Sequence, residues 1–450
     1  MKISKKIFLT VFCLALVCGA VFATGNRQSS TAAATTEVRL WHFPETTNSE
    51  KFHSETLAAA VKAKYPNITL RSEMLSWDAG PERMTVAMAT RTTPDIIIDN
   101  ESRLNPGIFA GLAADVSDLR REFAPAMYDG FQNVGLVNGV YYYVPLSVGG
   151  VYNMHVNVDM ARELGVYNLL PADNVHWSYD DFLRFCRAVR DAGRARNIYP
   201  LQIWAGSRSS DAVYYSWLMS GGASILNSDH TAMAVNTPQA ERTLNFFKQL
   251  IDEGLVPSGS ATATDEDAEN LFYSRNVMMN ITTAGLVDMV QIPIRARNGD
   301  MPFFNTDIYC IPTPDGRGNP RVMSWGTGGL AIFRNAGNTT VIEAAKNVVR
   351  TLWNDVNLYG ERMLGVSGSP INKNVKIDYG NAFITGRADM VASWAGFGDS
   401  GAGILEPWWT SWREVFFVEL QDFYQGRQTV QQLLSNWTEK GNAVIRNYRP

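Results

Sequence analysis

From residue 37 onward, hydrophobic and polar residues alternate in a pattern that predicts strands separated by helices. Val38 and Leu40 alternate with charged residues, as in a short strand, and apolar positions recur at helical spacing over residues 49–64. Pro81 suits the first turn of a second helix. The unbroken apolar run 96–98 is typical of a strand buried on both faces. This order predicts an α/β fold with a mostly parallel sheet.

The pattern changes near residue 139. An aromatic and β-branched strand at 139–146 leads through two glycines into 151–154, which we interpret as a crossing between lobes, and the short strand 308–311 predicts a return crossing. A strand at 329–333 and a helix at 342–354 then rejoin the first lobe. Two lobes are expected because a chain of 450 residues is longer than the length at which a single hydrophobic core usually stops growing. Helical periodicity predicts five helices between the crossings, at 158–165, 179–192, 210–220, 238–253 and 265–274.

The first 23 residues have the features of a secretory signal peptide. Three lysines precede an apolar stretch at 7–17, and Val21–Ala23 offers a cleavage site. Lipidation at Cys18 is the second interpretation, since a lipidated cysteine would also end such a leader. Residues 24–36 are mostly small and polar and predict a flexible tether. The protein is therefore expected to be exported to the periplasm or to the outer face of the cytoplasmic membrane, and no later run is apolar enough to span a bilayer.

Charge and composition exclude several classes of function. Removal of the three lysines of the leader takes the formal net charge from −4 to −7, which argues against a nucleic-acid partner. The sequence has no paired histidines at metal-ligand spacing, no nucleophile elbow and no phosphate-binding glycine loop. We therefore expect no metal, no cofactor and no enzymatic activity. Cys186 and Cys310 both lie in apolar segments and are expected to be two separate buried thiols.

Several short segments, taken in order, resemble the solute-binding proteins of ABC sugar importers, in particular those similar to maltose-binding protein. The similarity covers essentially the whole mature chain, and it is carried by 111–119, Val144–Leu146 with Tyr152–Asn153, His176–Phe182, Gly254–Pro257, Val277–Asn280 and Gly426–Val430. Ser274–Asn276 departs from the family's usual Gly-Lys pair, and no tryptophan follows Gly285 closely.

The resemblance implies a two-lobed periplasmic-binding-protein fold. Each lobe would be a mostly parallel sheet flanked by helices, and several crossing segments would form the hinge. The expected division is 37–147 plus 310–362 for the first lobe and 148–309 plus 363–450 for the second. The resemblance also implies a monomer that closes on a carbohydrate and delivers it to ABC permease subunits in the membrane.

Candidate ligand contacts are aromatic or polar residues at predicted strand ends, loops and a late helix start. Sugar C–H faces stack on aromatic rings, and carboxylates and amides bind hydroxyl groups. The set is Trp41, His42, Glu45, Trp77, Asp99, Asn100, Glu101, Trp204, Asn280, Thr282, Trp325, Trp408 and Trp412.

Each candidate has a structural alternative. The tryptophans would serve as well in a hydrophobic core, and the cluster Trp408, Trp409 and Trp412 fits the first turn of a packed helix equally. Asp99 to Glu101 suit a turn or a helix cap, and Glu45 suits a solvated loop. Two other functions stay open: a secreted glycosidase, which needs two carboxylates roughly 5–10 Å apart, and a ligand sensor that docks on a receptor.

Overall fold

The computed structural model describes residues 35–45, 48–148, 152–281, 285–323, 326–334, 338–366, 369–399, 403 and 406–448. Strands and helices alternate at the start, as the sequence predicts. The strands up to residue 148 are β1 (Thr36–His42), β2 (Ile68–Met74), β3 (Ile96–Asn100), β4 (Leu136–Val137), β5 (Val140–Tyr141) and β6 (Val144–Val148). The helices are α1 (Ser49–Lys51), which continues as a π-helix (Phe52–Leu57) into α2 (Ala58–Lys64), then α3 (Gly80–Thr90), α4 (Glu101–Phe109) and α5 (Ser117–Phe123).

The middle of the chain contains the five predicted helices, each within two residues of its predicted bounds. Side chains cap four of them: Ser178 and Thr264 form capping boxes, Thr237 precedes a proline in the first turn, and the Asn157 side chain accepts from the Met160 N–H. The elements are β7 (Met154–Asn157), α6 (Val158–Glu163), α7 (Tyr179–Gly193), β8 (Tyr199–Leu201), α8 (Ser210–Ser220), α9 (Pro238–Asp252), α10 (Asp265–Tyr273), β9 (Val277–Asn280), α11 (Val287–Asn298) and β10 (Thr306–Tyr309).

The last part of the chain is mainly helical. Its elements are β11 (Val322–Met323), β12 (Thr327–Ile332), α12 (Thr339–Asn354), α13 (Val356–Val366), β13 (Ser369–Pro370), α14 (Ala382–Ser393), β14 (Gly398–Asp399), α15 (Trp409–Tyr424) and α16 (Val430–Tyr448).

Two sheets organise the molecule. The first has six strands in the order β13-β6-β12-β3-β1-β2, in which β1 pairs in parallel with β2 and β3, while β12 runs antiparallel to β3 and β6. The second has four strands in the order β10-β7-β9-β8, with β8 and β9 parallel. β12 in the first sheet and β7 in the second run antiparallel to both of their neighbours, and each follows a crossing of the chain from the other sheet.

A separate hydrophobic core surrounds each sheet. Leu40, Ile98 and Leu330 are buried on one face of the first sheet, and Trp217 and Trp437 are buried in the larger core around the second sheet. The two-lobed α/β architecture is therefore confirmed.

Late in the chain, successive segments contribute to different cores. Ile371 and Val375 pack with the first core, and Ile311 and Met323 pack with the second. The exact division at residues 310 and 363 stays a prediction.

The two cysteines of the described chain are buried as free thiols. Cys186 and Cys310 both lie in the core around the second sheet. This confirms the expectation that they are separate buried side chains.

Gly206 lies in the loop between β8 and α8, where two backbone segments approach closely. A Cβ atom added to Gly206 would stand 2.2 Å from the carbonyl oxygen of Thr262, whereas one added to Gly386, inside α14, meets nothing within 4 Å. We expect Gly206→Ala to lower the free energy of unfolding by about 1–3 kcal/mol through overpacking. Gly386→Ala is expected to raise it by about 0.5–1 kcal/mol through helix propensity. Urea denaturation of both variants checks the pair, and a Gly206→Ala midpoint equal to wild type would contradict the close approach.

Candidate functional site

Charged and aromatic side chains converge where β1 and β3 end in the first lobe. Asp99 closes β3, and Arg103 follows four residues later in the first turn of α4. The Arg103 Nε atom donates to Asp99 Oδ2 at 2.6 Å, and both side chains are buried. Burial opposes the charge of Arg103, but the attraction of Asp99 outweighs it, so the pKa of Arg103 is raised. The result is a fixed ion pair at the edge of the sheet.

Two aromatic rings lie beside this ion pair. The Phe43 and Trp77 rings stack with centroids 4.5 Å apart, and the Arg103 guanidinium lies 5.3 Å and 5.1 Å from their respective centroids. Phe43 is buried, but Trp77 keeps 38% of its surface exposed. An indole ring that stacks on a buried ring and is itself exposed to solvent can stack against the apolar face of a ligand.

A second ion pair lies close by. The Arg362 Nη2 atom, on α13, donates to Glu45 Oε2 at 2.8 Å. Burial raises the pKa of Glu45, and the nearby Arg362 partly opposes this rise. The charges of Asp99 and Arg103 also act on Glu45, which places Glu45 in the same group of side chains.

Two buried histidines lie close to the Glu45–Arg362 ion pair. The His42 and His53 rings stack with centroids 4.1 Å apart, and His53 belongs to the π-helix. The His42 Nε2 atom lies 3.4 Å from Glu50 Oε2. Burial lowers the pKa of both imidazoles, and the positive charge of Arg362 adds to this effect. Both rings are therefore neutral near pH 7.

The second lobe contributes a matching ion pair. Asp211, in the first turn of α8, accepts two hydrogen bonds from Arg413, the fifth residue of α15, from Nε at 2.7 Å and from Nη2 at 3.1 Å. Both side chains are buried, and the Arg413 guanidinium lies 4.6 Å from the Trp409 ring centroid. Burial raises the pKa of Asp211, while the charges of Arg413 and Arg103 oppose the rise.

The two ion pairs lie near one another across the gap between the lobes. The charge of Arg103 acts on Asp211, and the charge of Asp211 acts on Arg103. Arg208 bridges the lobes at the rim: its Nε atom is hydrogen-bonded to Glu414 on α15, and its Nη2 atom lies 3.9 Å from Glu82 on α3. We define the interlobe cleft by these neighbouring side chains: Glu45, Trp77, Asp99 and Arg103 on the first lobe, and Asp211 and Arg413 on the second.

Five of the predicted ligand contacts lie at this end of the first sheet. Glu45, Trp77 and Asp99 belong to the cleft as described. Asn100 and Glu101 adjoin them, and Glu101 accepts a long hydrogen bond of 3.4 Å from Thr327. Asn100 makes no side-chain cap bond at the start of α4. Their contact with a ligand stays a prediction.

Other predicted contacts lie away from the cleft. His42 is fully buried behind the cleft. The Trp41 indole donates to Glu73 at 2.9 Å and is covered by Arg83 on the outer side of the sheet. Asn280 donates to Asp288 in a buried polar cluster of the second lobe. Trp204, Trp408 and Trp412 are buried in the core of that lobe. For Trp408 and Trp412 the reason is the packing of α15 against α8 and α16. Thr282 and Trp325 lie outside the described residues.

Sequence reasoning missed Phe43, Arg103, Asp211, Arg362 and Arg413. The spacing of Asp99 and Arg103 could have indicated an i, i+4 ion pair at a helix start. Arg413 directly follows the cluster of Trp408, Trp409 and Trp412, but its partner Asp211 is 202 residues away. No local pattern could have joined those two residues.

No helix among the described residues combines the length and the apolar character needed to cross a membrane. Within the same ranges, no three histidine, cysteine or carboxylate side chains are grouped closely enough to hold a metal ion.

The fold and this cleft define a two-lobed α/β binding protein, and comparison with known proteins gives its family. Residues 50–357 match the family described as bacterial extracellular solute-binding protein. The chain belongs to that family. A curated protein of Brucella abortus (strain 2308), named as a provisional binding protein, is 25% identical over 400 residues, which cover 87% of this chain and 89% of that protein.

Solved structures share the fold. An ABC transporter solute-binding protein of Thermotoga lettingae TMO, bound with α-D-tagatose, matches with a TM-score of 0.75 at 15% identity over 91% of this chain and all of that chain. Maltose-bound MalE3 of T. maritima matches with a TM-score of 0.70 at 16% identity over 92% and 99% of the two chains. A ribitol-bound solute-binding protein of Agrobacterium radiobacter K84 matches with a TM-score of 0.72 at 17% identity over the same shares. The resemblance inferred from the sequence is confirmed.

The stacked histidines predict that stability falls in mild acid. Because burial lowers the pKa of His42 and His53 in the folded protein, the unfolded chain binds more protons once the pH falls below about 6.5. We expect the free energy of unfolding to decrease between pH 7 and pH 5, by up to about 1.4 kcal/mol per pH unit for each histidine. His53→Phe keeps a ring against His42 but removes one titrating group, so its decrease should be shallower. Denaturant titrations at several pH values measure both slopes, and equal slopes would show that His53 does not contribute.

Proposed function

We propose that this protein is the substrate-binding component of an ABC importer and that it captures a neutral sugar or polyol in the interlobe cleft. The observation that carries the proposal is the pair of buried Arg–Asp ion pairs, Asp99–Arg103 and Asp211–Arg413, one on each lobe, beside the open ring of Trp77. Ligand contacts from both lobes would stabilise the closed state over the open state through differential affinity.

The cleft chemistry supports a neutral polyhydroxylated ligand. Each cleft arginine is already neutralised by a carboxylate on its own lobe, so an ionic ligand would meet no net charge of opposite sign. A hydroxyl group can donate to a carboxylate oxygen and accept from a guanidinium N–H, and the C–H face of a sugar can stack on Trp77. The ligands named for the structural neighbours, tagatose, maltose and ribitol, are of this kind.

Binding without reaction is the simplest outcome of this geometry. Glu45, Asp99 and Asp211 each hold an arginine, which fixes them as hydrogen-bond acceptors. A glycosidase needs one carboxyl group that protonates the leaving oxygen and a second that acts on the sugar carbon or on water. We therefore propose a binding role with no catalytic step.

Export and delivery complete the proposal. The leader at 1–23 and the tether at 24–36 would bring the protein to the periplasm or to the outer face of the cytoplasmic membrane, with Cys18 as the alternative lipid anchor. There the protein would act as a monomer and present its ligand to the membrane permease subunits. The family and the leader sequence support this part of the proposal.

A saccharide panel tests the proposed function directly. We expect isothermal titration calorimetry with monosaccharides, disaccharides and pentitols to identify at least one binder in the micromolar range or tighter, with no hydrolysis of p-nitrophenyl glycosides. Absence of binding by every member of the panel would refute the sugar proposal. Turnover of a chromogenic glycoside would favour the glycosidase instead.

Two tryptophan variants separate ligand contact from core packing. Trp77 is 38% exposed and Trp412 is 1% exposed. Trp77→Ala is expected to weaken binding of the panel sugar at least tenfold while the free energy of unfolding falls by about 1–2 kcal/mol, the loss of one stacked pair and one cation–π contact. Trp412→Ala is expected to lower the free energy of unfolding by about 3–5 kcal/mol. Calorimetry and urea denaturation of both variants provide the measurements, and a Trp77→Ala variant with wild-type affinity would remove that ring from the site.

A further inference from the structure

A second cavity adjoins the cleft and differs from it in chemistry. A pocket of about 260 Å³ lies between α3 and α4 of the first lobe and the first turn of α15 in the second lobe. Arg103 and Arg413 line this pocket and also form the ion pairs of the cleft. The pocket therefore continues the cleft past the two arginines, and we call it the α3–α15 pocket.

The wall of the α3–α15 pocket is mostly apolar. Its other described lining residues are prolines, methionines, alanines and a leucine, with two threonines, one serine and one tyrosine. None of the described lining side chains is a carboxylate or an amide, whereas three carboxylates serve the cleft. The larger apolar members are Pro81, Met84, Met88, Pro106, Leu112 and Pro407.

This composition disfavours a second sugar ring. A sugar carries about one hydroxyl group per carbon, and each hydroxyl that is buried without a partner costs roughly 1–3 kcal/mol in proteins. The Tyr448 hydroxyl is hydrogen-bonded to Ser411 at 3.0 Å, so these two polar groups at the pocket already contact each other. An apolar group meets no such cost, because it replaces water against methionine and proline side chains.

The size of the pocket limits the occupant. A cavity of about 150 Å³ lined by apolar side chains holds a benzene molecule. The α3–α15 pocket is larger, at about 260 Å³, so it has room for one aromatic ring and the atoms that link it to a sugar. Its position next to Arg103 and Arg413 places that ring within one linkage of a ligand in the cleft.

We infer that the α3–α15 pocket receives the apolar aglycone of a glycoside whose sugar ring occupies the cleft. This inference rests on the proposed function and narrows the ligand class from free sugars to aryl glycosides. Since both lobes line the pocket, the aglycone would also favour the closed state.

Matched glycosides test the inference. The probes are the methyl and phenyl α- and β-glycosides of D-glucose, D-galactose, D-mannose and D-xylose, measured by calorimetry beside the free sugars. For the sugar that binds, we expect one phenyl anomer to bind at least about tenfold more tightly than its methyl counterpart, which a few buried ring carbons supply. Equal or weaker binding of both phenyl anomers would overturn the inference while the proposed function stands.

Two substitutions that fill the α3–α15 pocket test whether the preference for phenyl glycosides arises there. Ala89 on α3 and Ala110 at the end of α4 both line the pocket and are both exposed. Ala89→Trp and Ala110→Trp should each abolish the tenfold preference for phenyl and leave the affinity for the free sugar within about twofold. Ala63→Trp, on the exposed surface of α2, is the matched control and should keep the preference.

The remaining outcomes are also decisive. A phenyl preference that persists in both filled variants would show that the aglycone binds elsewhere and would overturn the inference. Failure of every free sugar and every glycoside to bind would overturn the proposed function together with it. Thermal unfolding of each variant confirms that a lost preference does not reflect a misfolded protein.

Discussion

The cleft depends on burying charges as pairs within one lobe. A guanidinium buried alone would be strongly destabilising, and breaking a buried pair typically costs about 3–5 kcal/mol. Arg103 is paired with Asp99 in the first lobe, and Arg413 with Asp211 in the second. Because neither pair spans the cleft, the lobes can separate without leaving a buried charge unpaired. Arg208 differs, since its contact with Glu82 joins the two lobes and would be broken if the lobes separated.

The same arrangement explains how one cleft combines rigidity with access. Arg103 is held by Asp99 and lies beside the Phe43–Trp77 stack, so its guanidinium has little freedom before a ligand arrives. Trp77 nevertheless keeps an exposed surface. Preorganised donors and an open ring reduce the entropy lost on binding, because few side chains must be ordered when a ligand enters.

Local sequence pattern predicted the elements well and the cleft only in part. Strands 36–42 and 96–100 and helices 179–193 and 238–252 carry strong periodicity and capping signals, and the structure has them close to their predicted bounds. Glu45, Trp77 and Asp99 were found because the carboxyl ends of parallel strands meet at one edge of a sheet. The arginine that faces them from the second lobe lies more than 300 residues later in the sequence, beyond the reach of any periodicity.

The tryptophan cluster shows why residue type alone does not assign a role. Trp408 and Trp412 are as aromatic as Trp77, and a helix start can point a ring either into a core or into a cleft. Packing of α15 against α8 and α16 buries both rings. Arg413, which immediately follows Trp412, reaches Asp211 instead.

The two buried thiols of the second lobe can be used to detect transient unfolding of that lobe. Cys186 and Cys310 are buried, and burial raises the pKa of both thiols, so the reactive thiolate is scarce in the folded state. Alkylating reagents can therefore modify them only when this lobe opens beyond a rigid movement of one lobe against the other. The rate of cysteine labelling would then record transient unfolding of the second lobe separately from hinge motion.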